Sequence, residues 1–468
     1  MLKAESIGTK ELVFQALGQI TPITILGGLI LGAAGFALGS TPLAFLIGMG
    51  AVLLAANTVY QFSRIVSHAG GYYAYVARGM GRSAGIFTGF QYVLYQVANL
   101  GLEFLIVIWG FSKGINYALG TNLPVWTGII YMGAMTVLSF YFMSKGIKPS
   151  LRLVMFIGLI QLAAILIISL AVIGQAPDNT FTTFTPQYAL GGWHGVFLGF
   201  IVGSYLSFAG YGSVVPMGEE ARAPSKTIGR AVLYVVLLAG LVFVLGSYAM
   251  TVGYGISNMT GFVNAVIPGF QVTREYLGVG GVYLYLLAVT FISTYGTVVG
   301  MGTPLTRVTF ALARDGALPG FLAKTDASGT PYNAVRFTFA VSVAFAALTG
   351  GLFWYFYGFY TGLYFAWAIF ATIATLGTLL IHVLSNTSLS LMSIASKKWV
   401  LWLLVPTATS AIMMVAIYYS LLGITMPFLV APIVVLAWVL FSIAYVYARR
   451  ASMHSEAVQE TNSTVPEA

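Results

Sequence analysis

Glu103 is the residue of this sequence whose position most requires a chemical explanation. It lies inside a long apolar segment, and Gln96 and Asn99 precede it at spacings that put all three side chains on one face of a helix. A carboxylate within a bilayer costs at least about 2.5 kcal/mol on insertion scales, so it is expected to face the protein interior. The pattern predicts that Glu103 either binds a cationic group or carries a proton; a hydrogen-bonded structural carboxyl is the alternative.

Two apolar segments contain helix-breaking residues near their centres. In the first segment these residues are Pro22, Gly27 and Gly28, and in the stretch 199–218 they are Ala209, Gly210, Gly212 and Ser213. Proline removes a backbone donor and glycine weakens a helix, which frees backbone groups. Within a bilayer such groups are tolerated only where they line a cavity. We interpret the two breaks as parts of one substrate site; kinks in ordinary glycine-rich helices are the alternative.

The composition of the chain assigns these segments to a membrane. Of 468 residues, 59% are hydrophobic and only 7% are charged, and the mean hydropathy is +0.90. No soluble domain of this size has such a composition. A net charge of +9 would suggest a nucleic-acid partner in a soluble protein, but here it is attributed to loops at the membrane surface. The chain has no cysteine, which excludes disulfides and thiolate metal sites.

Twelve apolar runs are long enough to cross a bilayer, for which about 20 residues are needed. They predict an all-α polytopic membrane protein. The predicted spans are 15–37, 42–65, 84–112, 124–144, 151–174, 194–218, 230–254, 280–305, 335–352, 358–384, 400–421 and 427–447.

The distribution of basic residues predicts the orientation. If the N-terminus is cytoplasmic, all but Lys113 and Arg274 of the 21 Lys and Arg residues fall in inner loops, as the positive-inside rule requires. We therefore expect a multi-pass protein of the cytoplasmic membrane, with cytoplasmic segments at residues 1–14 and 448–468. The two breaks are separated by five spans, an odd number, so corresponding halves would have opposite topology. This arrangement is typical of inverted-repeat transporters.

Three motifs resemble those of the amino acid–polyamine–organocation (APC) transporter superfamily. They lie at residues 207–211 with 219–224 and 228–231, at 306–307 with 311–319 and 330–331, and at 70–75. Together they cover most of residues 20–334. The resemblance implies a LeuT-type fold with a five-plus-five inverted repeat, formed by residues 15–174 and 194–384, in which helices 1 and 6 are interrupted. Two peripheral helices would follow in residues 400–447.

The resemblance also implies how a substrate is held. The carboxylate of an amino acid would meet backbone N–H groups where the first helix resumes, at Thr24, Ile25, Leu26, Gly27 and Gly28. A helix N-terminus suits an anion because it presents unpaired donors and partial positive charge. The amino group would meet carbonyls of Ile20, Thr21, Phe208, Ala209 and Gly210. Phe208 would also be an aromatic gate over the substrate; a packing role is the alternative.

Some positions depart from the family pattern. Gly212 lies near the position at which some polyamine and basic amino acid transporters have a glutamate. Gln161 lies near the position of a lysine that replaces a sodium ion in other members. Thr294 and Thr297 are candidate Na⁺ ligands together with carbonyls of the first segment; hydroxyls bonded to their own helix are the alternative. Glu103 is then the best remaining titratable group for H⁺ coupling, and the coupling ion stays open.

Charged residues beyond the sixth and eighth spans are predicted to form a gate that closes the inner side through ion pairs. Plain topology signalling is the alternative. The residues of this predicted gate are Glu219, Glu220, Arg222, Arg307, Arg314 and Asp315.

Other chemistry is not indicated by the sequence. The histidines lack metal-ligand spacing, there is no Walker loop, and no cofactor is expected. An enzyme would need clustered acids or histidines at one membrane face, and a channel would need a filter sequence; neither is found. The sequence predicts a secondary transporter of amino acids or related amines that works by alternating access, as a symporter or an antiporter. A cationic amino acid or polyamine exchanger or uniporter is the alternative.

Overall fold

The computed structural model describes residues 2–4, 6–396 and 398–463, and for residues 394–396 and 450–463 only the backbone is described. The predicted all-α class is confirmed for these residues, whose only β-type contact is an isolated bridge between Ile7 and Ala221. The end of the predicted cytoplasmic tail, residues 464–468, lies outside the described residues, as do Met1 and Glu5 of the predicted N-terminal segment.

The α-helices of the described residues are numbered in chain order. They are α1 (Thr9–Ile20), α2 (Leu29–Ala37), α3 (Thr41–Ser63), α4 (Tyr72–Met80), α5 (Arg82–Leu119), α6 (Trp126–Ser144), α7 (Ile147–Gln175), α8 (Trp193–Leu198), α9 (Tyr205–Ser207), α10 (Pro224–Tyr254), α11 (Met259–Asn264), α12 (Pro268–Leu286), α13 (Ser293–Arg314), α14 (Tyr332–Tyr357), α15 (Phe359–Ser396), α16 (Val405–Leu421) and α17 (Val430–Ser463).

Ten helical segments of the described chain are long and apolar enough to cross a membrane, against the twelve spans predicted. The difference arises at the first and sixth predicted spans, because neither is one continuous helix. The second half of the first span continues directly into the second span, so Leu29–Ser63 counts as one segment. The backbone of Leu38, with φ of 45°, separates α2 from α3 within it. The sixth span is divided into pieces too short to cross alone.

The first interruption follows α1. Thr21 adopts a left-handed conformation with φ of 52° and ψ of 66°, and its N–H closes α1 on the Leu17 carbonyl. Pro22 then starts a 3₁₀ turn over Pro22–Leu26, because a proline ring fits the first position of a helical turn but cannot continue a helix that needs its N–H. The chain resumes as α2 after Gly27 and Gly28.

The second interruption lies in the stretch from α8 to α10. After α8 the helix widens into a π-helical turn, Gly199–Ser204, and α9 adds one more turn. A series of turns follows, and Gly210 within it has φ of 113°, a conformation that side chains other than hydrogen rarely tolerate. A 3₁₀ turn, Val215–Met217, leads towards α10.

Glycines allow close backbone contact around both interruptions. A Cβ at Gly203 would lie 2.1 Å from the backbone nitrogen of Ala33 in α2, and one at Gly300 in α13 would lie 2.4 Å from the nitrogen of Gln19 in α1. Helices in a bilayer associate through van der Waals packing of this kind, since lipid provides no hydrophobic driving force between them. The interrupted segments are therefore packed against each other and against α13.

The outside of the bundle is apolar. Large hydrophobic side chains such as Val137, Leu241, Leu348 and Leu436 are more than half exposed. Such a surface would make a water-soluble protein aggregate, but it suits contact with lipid chains. Arg82, Arg222 and Arg314 instead lie together with Glu219 and Asp315 at one end of the bundle, which is called the basic face below.

Candidate functional site

The two interruptions meet at Gln19, the residue before the end of α1. A Cβ added to Gly210 would lie 2.8 Å from the Gln19 Cγ, so the turn of the second interruption rests on this side chain. The hydroxyl of Thr21 lies 2.6 Å from that of Thr297 in α13. The structure therefore brings the predicted residues Thr21, Gly210 and Thr297 to one region around the first break.

Gln19 is the centre of a buried hydrogen-bond cluster that also contains Gln96. The Gln19 Nε2 donates to the Tyr95 hydroxyl at 3.0 Å and to the Gln96 Oε1 at 3.3 Å, and the Gln96 Nε2 donates back to the Gln19 Oε1 at 3.2 Å. The Gln96 Nε2 also donates to Tyr92. Gln19 was not singled out in the sequence analysis. A polar side chain directly before a helix break in an apolar segment could have indicated it, because buried polar groups need hydrogen-bond partners.

A narrow cavity lies beside the second interruption. The volume that a water-sized sphere can occupy in it is about 10 Å³, which is room for about one water molecule. It is lined by Tyr72, Tyr92, Tyr95, Gly210, Gly212, Ser213, Thr378, Ile381 and His382. Two of the lining hydroxyls, Tyr72 Oη and Ser213 Oγ, are buried without a hydrogen-bond partner among the described residues. Unpaired buried hydroxyls are costly, so the cavity is prepared for a polar occupant.

Gly210 and Gly212 are the predicted site residues that line this cavity. A Cβ at Gly212 would lie 1.8 Å from the Tyr72 hydroxyl. The absence of a side chain at this position is what lets Tyr72 approach the second interruption. Tyr72 belongs to the sequence motif at residues 70–75, so the motif is explained by its contact with the break.

Three backbone N–H groups in residues 24–28 are paired, although the sequence analysis expected them to be free to bind a carboxylate. The N–H of Thr24 donates to the Thr21 carbonyl, and those of Gly27 and Gly28 both donate to the Thr24 carbonyl at 3.2 and 2.7 Å. The expected free donors at these three residues are therefore already paired, because the 3₁₀ turn continues to the start of α2. Ile25 and Leu26 are fully buried, as Ile20 nearly is.

Phe208 and Ala209 also lie outside the cavity wall. The Phe208 ring is fully buried and packs edge-on against Phe243 of α10, with 4.9 Å between ring centroids. In this conformation Phe208 is therefore a packing residue, which was the alternative to an aromatic gate, because its ring is enclosed by its neighbours. Ala209 is half-buried, and its N–H closes a turn on Leu206.

The polar face of α5 divides between two environments. Gln96 joins the Gln19 cluster, and Asn99 is buried with its Nδ2 unpartnered among the described residues. Glu103 is half-buried and lies two turns after Gln96 along α5. It interacts with Tyr131 of α6, whose hydroxyl donates to the Thr290 carbonyl. Glu103 therefore lies where α5, α6 and the segment before α13 meet, and not among the residues that line the cavity.

Thr294 and Thr297 both bond their own helix. The Thr294 hydroxyl donates to the Thr290 carbonyl at 2.7 Å, and the Thr297 hydroxyl donates to the Ser293 carbonyl at 2.9 Å. Hydroxyls bonded to their own helix were the alternative to Na⁺ ligands in the sequence analysis. Thr297 differs because its oxygen also meets Thr21 at the first interruption. Cation binding by either threonine stays a prediction.

The predicted gate residues form two bidentate ion pairs at the basic face. The first joins Glu220 to Arg307 of α13, with an Nε–Oε2 distance of 3.0 Å and an Nη2–Oε1 distance of 3.1 Å, and both side chains are buried. Arg307 and Glu220 thus tie α13 to the end of the second interruption. A buried pair of this geometry leaves a costly unpaired charge if one partner is removed.

The second pair joins Glu219 to Arg314 and is partly exposed. Arg314 donates to both Glu219 oxygens at 2.9 and 2.8 Å, and Asp315 lies 3.5 Å from the same guanidinium. The Ala69 N–H donates to Glu219, and the Tyr73 hydroxyl donates to Asp315 at 2.7 Å. Sequence reasoning did not assign Ala69 or Tyr73 to the gate.

His68 joins this second pair, and the pKa values of both His68 and Glu219 are lowered there. The His68 Nε2 lies 2.7 Å from Arg314 and 3.6 Å from Asp315. Burial lowers the pKa of His68, although Asp315 opposes this effect. For Glu219, burial acts to raise the pKa, but hydrogen bonds from Arg314 and Ala69 outweigh it and the pKa is lowered. This arrangement of side chains therefore favours neutral His68 and ionised Glu219.

The N-terminal segment covers the buried ion pair. The N–H groups of Ser6 and Ile7 donate to the Glu220 carbonyl, and the Arg222 N–H donates to the Ile7 carbonyl. Leu2 is buried in a small cluster with Ala69, Phe310, Ala311 and Ala334. Arg222 thus contributes to the basic face through its backbone, and the chain before α1 packs against the end of the second interruption.

Comparison with known protein families gives one family match that extends over almost the whole chain. The family described as amino acid permease matches residues 11–453. This range includes both interruptions, the cavity and both ion pairs.

Individual relatives are more distant. The chain is 26% identical over 370 residues to the branched-chain amino acid permease BcaP of Bacillus subtilis, covering 74% of this chain and 75% of that protein. It is 25% identical to the methylthioribose transporter of the same organism, covering 70% and 73%. It is 24% identical to BcaP of Lactococcus lactis, covering 72% and 75%.

Proposed function

Because the chain belongs to the amino acid permease family, we propose that it is a secondary transporter that carries amino acids across the cytoplasmic membrane by alternating access. The observation that carries this proposal is the polar cavity beside the second interrupted segment, which rests on the end of the first at Gln19. Interrupted helices are the usual walls of substrate sites in secondary transporters. Two bidentate ion pairs lie at the basic face, and in this proposal they close the path from the cavity to that side.

The proposed architecture has twelve spans, of which the first ten form the inverted repeat and the last two are peripheral. The first and sixth spans, which contain the interruptions, move against a scaffold of spans three, four, eight and nine. The basic face is cytoplasmic in this proposal, because most of the basic residues lie in loops that would be on that side. The conformation described is then closed towards the cytoplasm.

Neutral amino acids with apolar side chains are the proposed substrates. The cavity lining contains no carboxylate and no Lys or Arg among its described residues, which disfavours a polyamine or a basic amino acid. Two of the relatives are named as branched-chain amino acid permeases. The substrate carboxylate would bind at the first interruption, where the paired N–H groups of Thr24, Gly27 and Gly28 must reorient towards it. The substrate amino group would face carbonyls of Thr21 and Gly210.

Transport by purified protein in proteoliposomes tests this proposal. Labelled leucine, isoleucine and valine should enter with saturable kinetics, and unlabelled substrate inside the vesicles should accelerate entry by counterflow. Lysine, ornithine and putrescine should compete poorly, since the cavity has no acid to bind their side-chain cation. Vesicles without protein are the blank.

Three other results would change the proposal. Entry that does not saturate and shows no counterflow would indicate a channel. Strong competition by lysine or putrescine would support the cationic alternative. Uptake of methylthioribose in place of any amino acid would contradict the proposed substrate class.

A further inference from the structure

His382 is a titratable residue in the cavity wall that the proposed function does not yet use. Its ring stacks on Tyr211, with 5.3 Å between centroids and 15° between planes, and meets the Tyr72 ring edge-on at 5.0 Å. The His382 Nδ1 lies 3.4 Å from the Tyr211 hydroxyl. Tyr211 belongs to the second interruption, whereas His382 belongs to the continuous helix α15. A movement of the interrupted segment therefore changes the surroundings of the imidazole.

The titratable groups that face His382 are all tyrosines. They come from α4 (Tyr72), α5 (Tyr92 and Tyr95) and the second interruption (Tyr211). The sequences of the neighbouring helices α3 and α16 contain no charged residue. The described charged side chains on the other neighbours lie elsewhere: Arg78 on the last turn of α4, Arg82 against Asp315, Glu103 within electrostatic range of Tyr131, Lys113 over Trp109 and Tyr360, Arg336 over Tyr332, and Arg449 against Gly316.

We propose that His382 binds the proton that accompanies the substrate, an inference that rests on the proposed transport of amino acids. An imidazolium in this cavity would be an unpaired charge, because no carboxylate lines it among the described residues, and an unpaired buried charge is strongly disfavoured. The carboxylate of an amino acid bound at the first interruption, which meets the second interruption at Gln19, supplies the missing negative charge. The protonated ring and the substrate carboxylate are therefore stable together and unfavourable separately, which is the requirement for symport.

The proton step needs no further reactant. The ring nitrogen that lacks a hydrogen accepts one proton from water, and the ring becomes a cation. The same nitrogen returns the proton to water after the ion pairs at the basic face open and the substrate leaves. The unpartnered hydroxyls of Tyr72 and Ser213 line the same cavity, so they provide hydrogen bonds to polar groups of the substrate while both charges are present.

His382→Asn tests this assignment, because asparagine keeps a hydrogen-bonding group near the Tyr211 hydroxyl but does not titrate. In proteoliposomes with a pH-sensitive dye inside, wild-type protein should acidify the lumen when amino acid is added outside. An inwardly directed proton gradient should also stimulate its uptake. The variant should lose both effects and retain counterflow at equal pH. The matched control is His194→Asn, which alters an exposed histidine outside the cavity and should leave both effects intact.

Glu103→Gln is the competing test, since Glu103 is the other candidate for the coupling proton. The inference expects it to keep gradient stimulation and lumen acidification. Loss of both effects in Glu103→Gln, with both retained in His382→Asn, overturns the inference in favour of Glu103.

Two further results overturn the inference alone. One is wild-type uptake and counterflow without proton movement, which leaves the proposed transport standing. The other concerns Tyr211→Phe, which is needed if His382→Asn also loses counterflow and so cannot be interpreted. Tyr211→Phe keeps the imidazole but removes its hydroxyl neighbour, and it should shift the pH of half-maximal gradient stimulation. An unchanged pH contradicts the inference.

Absence of any amino acid uptake by wild-type protein contradicts the proposed function and the inference together.

Discussion

The Tyr72 hydroxyl occupies the space that a side chain at position 212 would need. This single contact connects the short helix α4 to the second interruption, and it depends on the absence of a Cβ at Gly212. Because the hydroxyl has no hydrogen-bond partner among the described residues, it is held by packing and remains available to an occupant of the cavity. The contact therefore stabilises the backbone conformation of the second interruption and also places a polar group in the cavity.

Gly212→Ala should reduce transport and stability together. The added methyl would lie 1.8 Å from the Tyr72 hydroxyl, and overpacking of this kind destabilises proteins by about 1–3 kcal/mol. Thermal unfolding and leucine uptake measure the two effects. Tyr72→Phe in the same chain should restore part of both, because it removes the nearest atom. Gly133→Ala, at a helical position with no atom within 4 Å of the added Cβ, is the matched control and should be neutral.

Gly28→Leu should abolish substrate binding without unfolding the protein. Gly28 is exposed, and the nearest atom to an added Cβ is the Thr24 carbonyl oxygen at 3.5 Å, so a leucine has room but fills the space next to the proposed carboxylate site. The measurement is substrate-induced thermal stabilisation of the purified protein. Gly35→Leu, at an open position further along α2, is the control. Wild-type stabilisation in Gly28→Leu would remove the first interruption from the site.

At the scale of elements, two ion pairs hold the second interruption and α13 together, but they differ in burial. Glu220 and Arg307 are almost completely buried, whereas Arg314 is about one-third exposed (36%). Exposed pairs contribute about 1 kcal/mol or less, and breaking a buried pair costs about 3–5 kcal/mol. The buried pair is thus expected to support the fold, and the exposed pair to adjust the balance between closed and open conformations.

Arg314→Gln should open the basic face, whereas Arg307→Gln should destabilise the protein. Because the natural chain has no cysteine, a single Ser213→Cys in the cavity can report opening by its labelling rate. A loss of about 1 kcal/mol corresponds to up to about a fivefold change in population, so labelling in Arg314→Gln should rise by no more than this factor. Arg336→Gln is the control. Equal labelling in the Arg314 variant and in the control would dismiss the gate.

Acidification should open the basic face in two steps. The closed state has a lowered pKa for His68, so protonation favours the open state as the pH falls below the ordinary value of about 6.5. The closed state also has a lowered pKa for Glu219, so its stabilising charge is lost as the pH falls further, below about 4.5. Labelling of Ser213→Cys across pH measures both steps. His68→Gln should remove the upper step and Glu219→Gln the lower one.

At the scale of the whole molecule, the apolar outer surface and the basic face indicate how the bundle lies in a membrane. The exposed hydrophobic side chains contact lipid, and the face that carries the ion pairs is proposed to be cytoplasmic. Both properties follow from the distribution of residue types over helices and loops, and not from any single contact.

Cysteines introduced at the two ends of the bundle should distinguish its orientation. In intact cells, a membrane-impermeant thiol reagent is expected to label Thr121→Cys and to spare Ser328→Cys, both of which are exposed positions. Permeabilised cells should label both and serve as the control. The reverse pattern in intact cells would invert the proposed topology.

The sequence by itself was sufficient for the helical class, the family and the positions of the two interruptions. These properties depend on local composition. About 20 apolar residues must form a helix in lipid, and neither Pro22 nor the run of small residues near Gly210 can continue that helix. The partners of Glu219 and Glu220 were also foreseeable as a group, since opposite charges beyond neighbouring spans attract each other.

Only the tertiary structure decided which polar residues meet. Tyr72, Gly210 and His382 come from distant parts of the chain, and no local pattern indicates that they line one cavity. Gln96 and Glu103 have equivalent positions on one helix face, yet the first joins the Gln19 cluster and the second lies within electrostatic range of Tyr131. The reason is physical: helix periodicity sets the direction of a side chain, whereas its environment depends on which neighbouring helix ends, breaks or passes at that depth.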